Sequence, residues 1–110
     1  MSAPRLTRRL VLEAPERVPD GAGGYAETWT VRGSVWAEVV PRGAGREVDA
    51  ARSRLNLKIT VRSAPQGAPS RPTAAMRFRD GQRLYRIEAV TEADATGRTL
   101  ACFATEETGA

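Results

Sequence analysis

Over residues 54–62 large apolar and polar side chains alternate without a break. Leu55, Leu57, Ile59 and Val61 point one way, and Arg54, Asn56, Lys58, Thr60 and Arg62 the other. A period of two is that of a strand with one buried face, so this segment predicts a half-buried strand. Shorter versions recur. Residues 9–13 place Leu10 and Leu12 together, and residues 25–32 align Tyr25, Glu27, Trp29 and Val31. Residues 35–40 carry Val35, Ala37 and Val39 against Trp36, Glu38 and Val40, which suggests cover on both faces. Gly33 and Ser34 are expected to interrupt the chain between these last two segments.

Further along, Met76 and Phe78 alternate with Arg77 and Arg79, and Asp80-Gly81 then supplies the positive-φ chemistry of a tight hairpin before a strand over 84–90. A second turn at 94–97 leads to residues 99–105, where Leu100, Cys102 and Ala104 share a face. Residues 106–110 are expected to fray. Residues 15–24, 41–51 and 63–74 read as loops, the last through Pro65, Pro69 and Pro72. Residues 47–53 contain an alanine pair that could form a short helical turn, though without an apolar face. Six or seven short strands with glycine and proline turns predict an all-β fold, a small antiparallel barrel or sandwich with long loops, because such sheets need closure or cover for their edges.

A chain of 110 residues fits a single domain spanning 1–110. Alanine supplies 18 of its apolar residues, so the core is thin and help from neighbouring subunits is expected. No apolar run approaches the roughly 20 residues of a transmembrane helix, and no membrane partner is expected. The first residues lack the apolar stretch of a secretory signal, so a cytoplasmic product is expected. Cys102 is the sole cysteine, which excludes an internal disulfide and is best read as a small buried hydrophobe. With no histidine, Ser-His-Asp and Cys-His catalysis and histidine-ligated metals are excluded, and neither a cofactor nor an enzymatic activity is expected. The carboxylates of Glu13, Glu16, Glu27, Glu38, Glu88 and Glu92 are scattered, with no spacing that defines an acid/base pair.

The net charge is +4, and 16 of the 17 basic residues are arginine. Arginine forks onto phosphate and also pairs with carboxylates across interfaces. Asp20-Gly21-Ala22-Gly23-Gly24 could cradle a phosphate but lacks the GK[ST] ending of a P-loop, so a flexible turn is the better reading. Arg54, Lys58 and Arg62 on one strand and Arg77 and Arg79 on another would make a basic stripe if the fold brings the strands together. That face offers no aromatic platform for base stacking. Arg42, Arg46, Arg52 and Arg54 bracket the 41–53 loop and could reach duplex phosphates without sequence preference. Trp29 and Trp36 suit a core or an interface equally.

Taken in order, the chain shows Arg8-Arg9-Leu10, the Asp20-Gly21 to Gly23-Gly24 turn, Trp29 and Val35-Trp36-Ala37-Glu38-Val39. Gly45, Glu47 and Ala50 follow, then Ile59-Thr60-Val61-Arg62, Arg77-Phe78, Gly81, Tyr85-Arg86-Ile87 and Cys102. This ordered set resembles the head-tail joining proteins of tailed phages, prophages and gene transfer agents, over nearly the whole chain. The proline-rich 64–74 stretch departs from the shorter connection usual there. The resemblance implies a stopper-type connector in the virion neck, assembled in the host bacterial cytoplasm as a homo-oligomeric ring, expected to be a hexamer. Its neighbours would be a head-tail adaptor on the portal side and a tail terminator or tail tube on the other, with double-stranded DNA passing through. It also implies that the 41–53 loop, with Arg42, Arg46, Arg52 and Arg54, faces the channel. Trp29, Trp36, Glu38, Arg62 and Arg77 are the candidate subunit or neighbour contacts. The competing reading is a small basic nucleic-acid-binding module of the OB or SH3-like kind.

Overall fold

The alternating segments close into a ring of sheet. The computed structural model describes residues 3–42, 46–49 and 52–109, with side chains for 3–42 and 54–106. Seven strands succeed one another: β1 (Arg8–Pro19), β2 (Tyr25–Pro41), β3 (Arg46–Asp49), β4 (Arg52–Arg62), β5 (Arg77–Asp80), β6 (Arg83–Glu92) and β7 (Thr99–Gly109). They pair in the order β2-β1-β5-β6-β7-β4-β3, and β2 also pairs with β4. Every ladder is antiparallel. Six strands therefore form a closed circuit, with β3 attached outside it. The architecture is the all-β one that the two-residue period implies.

Each ring strand contributes its apolar face to one core: Leu10 and Leu12 from β1, Ala37 from β2, and Leu57, Ile59 and Val61 from β4. Phe78 of β5, Tyr85 and Ile87 of β6, and Leu100, Cys102 and Ala104 of β7 complete it. Full burial of a side chain such as Leu57 or Phe78 contributes roughly 1.5–3 kcal/mol. The proline-rich connection between β4 and β5 packs rather than trails. Pro72 is fully buried, and the Arg71 guanidinium donates to the Ala64 carbonyl at 2.6 Å.

Four expectations are corrected. Residues 15–19 belong to β1, with Pro15 opposite Trp29 and Pro19 opposite Tyr25. β5 reaches β1 only at residues 11–13, so beyond Glu13 one edge of β1 is outside the ring, where proline forfeits no ladder bond. Gly33 does not end a strand. Leu12 faces Gly33 while Glu13 faces Val31, so Arg32 is an extra residue, and Gly33 at φ +148° absorbs the bulge within one long β2. Residues 46–49 and 52–53 are strand rather than loop or helical turn, because β3 pairs with the start of β4; the alanine pair, residues 50 and 51, lies outside the described residues. Residues 106–109 are strand rather than frayed, because β7 pairs with the first residues of β4 as far as Gly109 opposite Arg52.

Two extensions thus leave the ring at opposite ends of β2. At the Tyr25 end, the β1–β2 ribbon runs on past the contact with β5. At the Pro41 end, β3 takes over the β4 edge that β2 vacates: β2 covers residues 57–61 of β4 and β3 covers 52–54. The molecule accordingly measures 54 × 39 × 21 Å.

Candidate interaction surfaces

On the outer wall between β1 and β5, Glu13 stands opposite Arg77. Arg77 Nε donates to Glu13 Oε1 at 2.7 Å and Arg79 Nε to Oε2 at 2.8 Å. The Glu13 side chain is only 7% exposed. Burial pushes its carboxyl up, but the hydrogen bonds and charges of Arg79 and Arg77 outweigh that and hold its pKa below the ordinary value. At the β6–β7 seam, Arg83 places two 2.8 Å hydrogen bonds on Glu106, which raise the Arg83 pKa. At the end of the ring, Arg8 pairs with Asp80, and the Tyr85 hydroxyl sits 3.3 Å from the same carboxylate.

The β4 face is different. Lys58 and Arg62 are exposed, and among the described residues neither forms an ion pair. β4 and β5 lie three strands apart in both directions around the ring, so the single stripe joining Arg54, Lys58 and Arg62 to Arg77 and Arg79 does not exist. The expectation that the β4 face lacks an aromatic is also corrected. Trp36 lines the same cleft as Arg62, and Arg42 lies over the Phe103 ring at 4.5 Å. Period-two reading within one strand could not show this, because Trp36 reaches the face from β2 and Phe103 from β7.

Within one chain, only one face of the 35–40 segment is covered. Ala37 is buried and Val35 and Val39 pack on the core, whereas Trp36 is 56% and Val40 42% exposed. Glu38, on the outward face, accepts the Arg5 backbone N–H at 3.0 Å. Trp29 is half-buried, with Arg77 stacked on it at 4.0 Å. Together with Glu27, Leu84, Arg86 and Thr105 they line an open groove of about 310 Å³. Of the four arginines bracketing the β3–β4 hairpin, Arg42 is exposed and its backbone N–H donates to Asn56. Arg46 stands opposite Arg54 and Arg52 opposite Asp49 in the backbone register.

Two donors of the glycine turn are already engaged within it. The Ala22 and Gly24 N–H groups donate to Asp20 Oδ1 at 2.8 and 3.1 Å and keep the Asp20 pKa low. Asp94 ties the β6–β7 turn likewise, accepting from the Arg98 and Thr96 N–H groups. Cys102 is buried and its thiol is pushed up to about 12 by burial, which makes it inert. Among the described residues, no group of three His, Cys, Asp or Glu side chains is placed to hold a metal ion.

No curated protein matches the chain. Among solved structures, one chain from the "Virion of native gene transfer agent (GTA) particle" superposes with a TM-score of 0.85 at 47% sequence identity, covering 98% of this chain and 100% of that one. The family model described as phage head completion protein matches residues 1–107. With the family model spanning nearly the whole length of this closed all-β ring, the chain belongs to the phage head completion protein family.

Proposed function

We propose that the chain is a structural component of a phage-like or gene-transfer-agent virion, acting in the neck as a stopper-type connector. Copies form a ring of six between the head-tail adaptor on the portal side and the tail terminator or tail tube on the other. The ring passes double-stranded DNA and helps retain it. The observation that carries this reading is the β3–β4 hairpin, which continues past the closed ring. Over residues 42–54 the sequence places four arginines, Arg42, Arg46, Arg52 and Arg54, against Glu47 and Asp49. A projecting basic hairpin repeated around an axis would meet duplex phosphates by charge alone, with no base readout. Family membership and the virion origin of the similar chain support the same setting. The role is mechanical, and no group in the structure needs to do chemistry for it.

Charge reversal tests it. In particles carrying Arg46→Glu with Arg52→Glu, packaged DNA should fall several-fold at unchanged particle number, while the melting temperature of the isolated chain shifts by no more than a few degrees. Full DNA retention would remove the hairpin from the channel. The second reading, a nucleic-acid-binding module, draws on Arg62 beside Trp36 and on Lys58 further along the same face of β4. It predicts tight DNA binding by the isolated monomer with a steep salt slope, and weak binding at moderate salt would discard it.

A further inference from the structure

The large hydrophobic side chains left exposed among the described residues are Tyr25, Val31, Trp36, Val40 and Leu84. They fall into two patches. Trp36 and Val40 lie on the outer wall of β2, where Arg9 of β1 is opposite Trp36 and Lys58 of β4 is opposite Val40. Tyr25 and Val31 share a ribbon face with Glu27 and Trp29, and that face bends over the outer wall of β5 and β6. There Trp29 meets Arg77 and the groove takes in Leu84 and Arg86. In the circuit β2-β1-β5-β6-β7-β4, the β5–β6 junction lies directly across from the β2–β4 junction. The β5–β6 side of the groove, with Arg77, Leu84 and Arg86, therefore lies across the ring from Trp36 and Val40.

We propose that the two patches are the two halves of one contact between copies, with Trp36 of one copy seated in the groove of the next. This rests on the ring reading and specifies its surfaces. A contact joining two different patches is heterologous, so it repeats from copy to copy and forms a ring where the rotation between copies closes. Each patch offers what the other lacks. The groove is open and side-chain-sized, walled by Leu84 and the Trp29–Arg77 stack, and Trp36 is an exposed aromatic of the kind that anchors interfaces. Charges are complementary too. Glu27 in the groove faces a patch rimmed by Arg9 and Arg62, and Arg86 in the groove faces Glu38. Among the described residues, Arg9, Arg62, Arg86 and Glu27 make no side-chain ion pair within the chain, so these charges remain available to a second copy.

The test uses Trp36→Cys with Leu84→Cys in assembled particles, joined by a short bis-maleimide. Both positions are on the surface, and the buried Cys102 thiol stays silent. The double variant should give a ladder of covalent oligomers and each single variant none, because Trp36 would meet Leu84 of a neighbour and never another Trp36. A ring of normal mass that yields no ladder, or a ladder from one single variant, overturns these surfaces and leaves the ring standing. One copy per particle would overturn the ring reading and this contact with it. If the thiol of the Trp36→Cys variant is shielded only while DNA is packaged, that face meets the genome and the contact between copies is wrong.

Discussion

Two walls of the ring carry basic residues at outward strand positions, and they do different work. On β5, Arg77 and Arg79 close on Glu13, whose carboxylate is nearly out of water. On β4, across the ring, Lys58 and Arg62 have no carboxylate among the described residues and face solvent. An outward strand position tells where a side chain points. Whether it holds the fold or waits for a partner depends on which strand the ring places beside it.

The largest expected effect lies on the β5 wall. Glu13→Ala would leave two guanidinium groups with a lost partner. Since Arg77 is 22% and Arg79 39% exposed, water recovers part of the loss, and denaturant unfolding should show about 2–3 kcal/mol of destabilisation. A loss below about 0.5 kcal/mol would make the two walls equivalent. The same site sets a pH dependence. The folded-state pKa of Glu13 is depressed below 4.5, so its contribution is complete above that pH and is lost as pH falls through the ordinary value toward the depressed one. Glu13→Gln should therefore flatten the acid limb of the stability curve below about pH 5 and leave the limb above pH 6 parallel to the parent.

Next in size is Glu106→Gln, which loosens the Arg83 fork at the β6–β7 seam. Arg83 is half exposed, so about 1 kcal/mol is expected, read as a lower unfolding midpoint at an unchanged denaturant slope. The smallest effect belongs to β4. Lys58→Ala and Arg62→Ala should each move stability by less than about 0.5 kcal/mol; a larger loss in the isolated chain would show that this wall, too, is structural.

Much of the ring was legible because its strands keep strict alternation. Leu55 to Val61, Phe78 and the Asp80-Gly81 turn, and Leu100 to Ala104 all face where the period puts them. Misreadings cluster where alternation breaks or is diluted. The bulge at Arg32 and Gly33 shifts the phase of β2, and prolines 15 and 19 look like breakers but sit on an open edge. β3 has only Val48 as a large apolar residue. The joining of Trp36 to Arg62, and of Glu13 to Arg77 and Arg79, depends on neighbours 26 to 66 residues apart in sequence, and period-two reading within one strand holds no information about such pairs. Glu13 itself had a signal only in hindsight of the pairing: a carboxylate on a strand whose unknown neighbour alternates arginines.

The most direct test of the account is a cryo-electron microscopy reconstruction of the neck from intact particles, computed without imposed symmetry. It should show several copies of the closed six-strand ring around one axial channel, six by this account, with the β3–β4 hairpins nearest the axis. A single copy, or hairpins turned away from the channel, would contradict it.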